Sequence, residues 1–91
     1  MHNLKRYEEA LSAYEQALRL NPNDALAYTG KGAVLHSLER YEEALKVYEQ
    51  ALRANPNYAL IYSNMSLTLE CLGRNVEAEQ ARKKARQLGL N

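Results

Sequence analysis

The chain matches itself when it is shifted by 34 residues. Residues 7–23 read YEEALSAYEQALRLNPN, and residues 41–57 read YEEALKVYEQALRANPN. They differ at three positions: Ser12 against Lys46, Ala13 against Val47, and Leu20 against Ala54. A weaker third copy follows, with Ala78 under Ala44 and Ala85 under Ala51. Such a period means one supersecondary unit used repeatedly, each copy burying its apolar face on the next.

Each unit divides into two helices. Between Tyr41 and Ala54, the residues Tyr41, Ala44, Leu45, Tyr48, Ala51 and Leu52 recur every three or four positions, which makes one helical stripe. Glu42, Glu43, Lys46, Glu49, Gln50 and Arg53 fall largely on the other side. The Glu8-Glu9 and Glu42-Glu43 pairs sit at helix starts, where the backbone dipole favours anions, so they read as structural. Asn55-Pro56 stops the helix, because the residue before a proline is pushed out of the α region. Asn23 and Asn57 are expected to cap the helices that follow. The spacing predicts five helices, near 6–20, 24–38, 41–54, 58–72 and 75–88, and no strand. Gly73 suits a left-handed residue just past a helix end; Glu39-Arg40 marks the same break one copy earlier.

With 91 residues the chain supports one domain. Twelve basic side chains against 11 acidic ones leave a net charge of +1, so no global field draws in nucleic acid or a membrane surface. No apolar run approaches a membrane span. The segment Met1 to Arg6 lacks the apolar core of a secretion signal. One cysteine, Cys71, rules out an internal disulfide and fits a reducing, cytoplasmic setting.

The spacing resembles the tetratricopeptide repeat, through Tyr28, Gly32, Leu35, Ala44, Tyr48, Ala51 and Pro56 in the middle copy. Tyr62, Ser66, Leu69, Ala78 and Ala85 follow in the third copy, and Ala10, Tyr14, Ala17 and Pro22 precede in the first. The resemblance implies an all-α, right-handed superhelix of antiparallel hairpins. It implies a second-type helix alone over 1–24, a complete repeat over 25–58 and another over 59–91. Gly32, Ala44 and Ala51 are small enough for paired helices to approach closely, with Tyr28 and Tyr48 filling the space beside them.

Three departures stand out. Lys31 takes a position where the family prefers Leu, so its stem should be covered and its amine wet. Arg82 replaces the tyrosine of the other copies, and Leu90 replaces the closing proline. With Arg82, Lys83, Lys84 and Arg86, the last helix reads as a solvated end cap, or else as a patch for an acidic partner. The first helix has no first-type helix ahead of it. Its stripe, including Tyr7, Leu11, Tyr14 and Leu18, should be partly uncovered, which points to a fragment of a longer array or to self-association into a homo-oligomer.

By resemblance, first-type helices line a concave groove. The groove residues are then Leu26, Thr29, Ala33, His36 and Ser37, followed by Leu60, Ser63, Asn64, Leu67 and Cys71. That uncharged set suits a peptide or partner protein held by shape and a few hydrogen bonds. The alternative is that several of them simply pack on one another. Relatives that bind acidic chaperone tails use Lys, Arg and Asn in this groove. Here the corresponding positions hold Thr29, Ala33 and Asn64 in one register, and Gly30, Leu60 and Asn64 in the other, so two carboxylates would find no cation.

Catalysis has little support. His36 and Cys71 are the minimum for a thiol nucleophile, without an orienting group or an oxyanion donor. His2, His36 and Cys71 have no metal-site spacing, and no phosphate loop is present, so neither a metal nor a cofactor is expected. The sequence thus predicts an interaction module rather than an enzyme, without nucleic-acid or membrane partners.

Overall fold

The computed structural model describes residues 4–89. Leu90 and His2 lie outside the described residues. Within them the chain forms five α-helices and no strand: α1 (Leu4–Leu20), α2 (Ala25–Ser37), α3 (Tyr41–Ala54), α4 (Ala59–Cys71) and α5 (Asn75–Gln87). The five predicted helices are therefore present, with ends that agree to within two residues.

The hairpins α2–α3 and α4–α5 pack most closely, and α1 lies against α2. Small side chains explain the close approach. Ala44, Ala51 and Ala78 are wholly buried, and Tyr48 fills the space opposite Gly32. One core cluster gathers Leu35, Ala44, Val47, Tyr48, Ala51 and Ile61. A second joins Leu45, Leu69, Ala78 and Ala81. Met65 packs against both. Burial pushes the Tyr48 hydroxyl up to about 12, and the Thr68 hydroxyl works in the opposite sense.

The turns correct one expectation. Asn23 and Asn57 cap nothing. Instead Asp24 caps α2, its Oδ1 accepting from the N–H groups of Leu26 (3.1 Å) and Ala27 (3.2 Å). At the same place before α4 stands Tyr58, without a side-chain cap. Asn21 and Asn55 carry the turn: their Oδ1 atoms accept from Asn23 N–H (3.2 Å) and Asn57 N–H (3.3 Å). An Asx side chain bonds the backbone two residues on, so the asparagine before the proline is the one placed to do this. The Tyr28 hydroxyl donates to Pro22 O at 2.9 Å and ties the first of these turns to α2.

The second-type helices begin alike. Arg40 grips Glu43 and Arg74 grips Glu77, each through two hydrogen bonds of 2.7–2.8 Å. These arginines hold both carboxyls below the usual range. Arg74 also reaches Glu42 at 3.7 Å, joining one repeat to the next.

Candidate protein-interaction groove

The two first-type helices, α2 and α4, touch each other directly. The link is polar: His36 Nδ1 lies 2.9 Å from Thr68 Oγ1. Thr68 is fully buried and its hydroxyl also donates to Asn64 O at 3.2 Å. The His36 ring meets Tyr41 edge-on, with centroids 5.1 Å apart. The Cys71 thiol beside it, together with partial burial, raises the Tyr41 phenol above its ordinary value. His36, Thr68, Tyr41 and Cys71 thus form one joint between successive repeats. His36 is directed to Thr68 and Tyr41, and Cys71 lies beside Tyr41.

The expected groove residues divide into three groups. Leu26, Leu60 and Leu67 are exposed, at 65%, 40% and 54% of their surface. Ala33 and Cys71 are exposed too. His36, Ser37, Ser63 and Asn64 are half-buried. Thr29 is buried, and its hydroxyl donates to Ala25 O at 2.6 Å within its own helix, so it is withdrawn from the surface where the sequence reading put it. A threonine hydroxyl bonds back to the preceding turn when its side chain leaves water.

Sequence reasoning passed over Tyr41 and Thr68. Tyr41 looks like one more residue of the α3 stripe, repeated as Tyr7, and nothing in the spacing marks it as the ring that meets His36. Thr68 carries no motif; only its place on α4, four residues after Asn64, hints at an inward hydroxyl.

On α1, Tyr7, Leu11, Tyr14 and Leu18 are half-buried, and the helix holds no fully buried residue. The partly uncovered stripe is therefore present. Two of its members already face inward: Leu11 packs on the α2–α3 core, and the Tyr14 ring occupies the space over Gly30. At the other end, Arg82 bridges Glu70 and Glu79, and Arg86 reaches Glu79 at 3.4 Å, so half of the terminal cations are internally paired. Lys31 is half-buried with its amine 3.7 Å from Glu15, as a covered stem and a wet head require.

Tetratricopeptide repeat family models match residues 3–59 and 47–80. Among solved structures, MamA is 28% identical, with a TM-score of 0.86 over 93% of this chain and 50% of that one. A second MamA structure is 26% identical, with a TM-score of 0.84 over 93% of this chain and 49% of that one. The chain thus spans about half the length of these MamA chains. The second repeat domain of Spaghetti (RPAP3) is 24% identical, with a TM-score of 0.85 over 90% of this chain and 76% of that one. Among curated proteins, no sequence matches.

Proposed function

We propose that this chain, which belongs to the tetratricopeptide repeat family, holds a segment of a partner protein along the surface shared by α2 and α4. The observation that carries the reading is the row of exposed leucines there. Leu60 and Leu67 stand two turns apart on α4, about 10 Å at 1.5 Å per residue, and Leu26 opens α2. Large apolar side chains on an otherwise polar surface mark a contact face. Between them, Ser63 and Asn64 offer uncharged hydrogen-bonding groups.

The RPAP3 domain is bound to the HSP90 peptide SRMEEVD. The likeness to it is one of fold. The expected ligand here differs in chemistry, because the Thr29 and Ala33 positions carry no cation for a carboxylate. An apolar-faced peptide fits better. The scaffold reading also accounts for the His36–Tyr41–Cys71 joint without catalysis. No helix is long and apolar enough to cross a membrane among the described residues.

A random peptide library displayed against the chain should yield binders with spaced apolar residues. Leu67→Ser and Asn64→Ala should each weaken them about tenfold or more, the range of one lost anchor. Leu20→Ser, at an exposed leucine outside the groove set, should leave them unchanged. A library without binders, or binders indifferent to both groove changes, would overturn the proposal. Self-association through Tyr7, Leu11, Tyr14 and Leu18 draws less support, since Leu11 and Tyr14 are already engaged within the chain.

A further inference from the structure

A second concavity, about 220 Å³ in volume, opens where α1 lies against the α2–α3 hairpin. Its floor is apolar, made by Leu11, Leu35 and Val47. Lys31 and Leu35 stand one turn apart on α2, on a different face from Ala33 and Ser37 of the groove. Three cations line the cleft, Lys31, Arg40 and Lys46, against two carboxylates. Arg40 is committed to Glu43 by two 2.7 Å hydrogen bonds, and Lys31 stands 3.7 Å from Glu15. Lys46 makes no ion pair within 4 Å among the described residues and acts on Glu43 only at longer range. One positive charge is therefore left over beside an apolar hollow.

The repeat provides an internal comparison. One period further on, Leu45, Leu69, Arg74 and Glu77 stand in for Leu11, Leu35, Arg40 and Glu43. Met65, however, occupies the place of Lys31, and Gln80 that of Lys46. Met65 packs against both core clusters, and Leu45 is 6% exposed where Leu11 is only half-buried. The same junction is sealed in one copy and left open and cationic in the other. Both exchanges put an ammonium where the other copy has a neutral side chain, and both fall on this one cleft. The fold does not demand them, because the second copy packs without them.

We propose that the cleft receives one apolar side chain from an acidic segment of a partner protein, with that segment's carboxylates set against Lys46 and Lys31. The size argues for one side chain, since pockets for cofactors and drug-sized molecules begin near about 300 Å³. The charge argues for acid nearby: an ammonium beside a carboxylate gains a charge-assisted hydrogen bond that a neutral segment does not offer. The site is separate from the α2–α4 groove and stands or falls independently of it.

The test uses methyl NMR of the whole chain titrated with the blocked peptide acetyl-Glu-Glu-Leu-Glu-Glu-amide. Shifts are expected at the methyls of Leu11, Leu35 and Val47. Binding should weaken about tenfold when glutamine replaces the glutamates or alanine replaces the leucine, and it should weaken as salt rises. Lys46→Gln should cost several-fold in affinity. Lys31→Met, which copies the sealed junction, should abolish the shifts while melting at or above the parent temperature, so that lost binding is not lost folding. Equal binding of the glutamine peptide, shifts confined to Leu26, Leu60 and Leu67, silence at millimolar peptide, or binding retained by Lys31→Met would each overturn the proposal.

Discussion

Glu39 and Gly73 occupy the same place in successive repeats, just past the end of a first-type helix. Both adopt the left-handed conformation, with φ of 63° and 75°. A side chain there costs about 1–2 kcal/mol through the clash of Cβ with the carbonyl, and glycine escapes it. Glu39 is exposed, and its hydrogen bond to His36 O (2.9 Å) comes from the backbone N–H, which glycine keeps. Glu39→Gly should therefore stabilise the chain by about 0.5–1 kcal/mol, raising the melting temperature by about 4 °C. Gly73→Glu should lower it. Paired thermal melts decide the matter: the two changes must move in opposite directions, and a fall in both would dismiss strain as the cause. The sequence disclosed this strain only by comparison. Gly73 announces a left-handed residue; Glu39 does not, and its φ follows from the repeat register rather than from its own chemistry. Residue-level detail was otherwise the least legible layer. The cap fell to Asp24 rather than Asn23 because α2 begins at Ala25, which makes Asp24 the residue whose side chain can accept from the first free N–H groups. Thr29 turned inward because a hydroxyl satisfied by its own helix needs no water.

At the level of the helix pair, the small residues were readable, but the tightness of each contact was not. A Cβ built on Gly32 would lie 2.4 Å from the Tyr48 ring, and one built on Gly30 would lie 2.3 Å from the Tyr14 ring. These distances are alike, yet the neighbours differ in freedom. Tyr48 is 1% exposed and sits in the middle of the core cluster. Tyr14 is half-buried on a helix without a single buried residue, and the near atoms are the far end of its ring. Alanine in place of glycine brings about 1 kcal/mol of helix propensity in both cases. At Gly30 the tyrosine swings aside, so Gly30→Ala should be close to neutral. At Gly32 overpacking of about 1–3 kcal/mol outweighs the propensity gain. Gly32→Ala should therefore melt several degrees below Gly30→Ala. Equal losses in denaturant unfolding would mean that α1 is held as rigidly as α3. The candidate α2–α4 surface was legible to the same degree: its helices followed from register, while the His36–Tyr41 ring contact is one that no spacing encodes.

The whole molecule measures 33 × 30 × 19 Å, so its thin dimension is two helices deep. In such an array each helix takes its stability from its neighbours, and stability is distributed along the chain rather than shared evenly. α3 contributes to both core clusters, with Ala44, Val47, Tyr48 and Ala51 in one and Leu45 in the other. α1 contributes only partly buried side chains, against α2 and the edge of the first cluster. Most helical stability in a folded protein comes from packing of the apolar face, and α1 has no fully buried residue. Opening α1 therefore leaves the larger part of the core intact, whereas opening α3 dissolves it. Amide hydrogen exchange should show α3 protected near the level of global unfolding. Amides of α1 should exchange about 100-fold faster, a difference of about 3 kcal/mol at 1.4 kcal/mol per tenfold. Low concentrations of denaturant should hasten α3 exchange and leave α1 nearly unaffected, since local opening exposes little surface. Uniform protection with one denaturant slope would show a single cooperative unit, and α1 would then owe its stability to more than the partial burial described. The same gradient bears on the cationic cleft. One of its walls is α1, so a segment seated on Leu11 and Val47 binds only the closed form and should slow α1 exchange by the factor its occupancy predicts. Exchange in α5, which shares no wall of that cleft, should remain as it was.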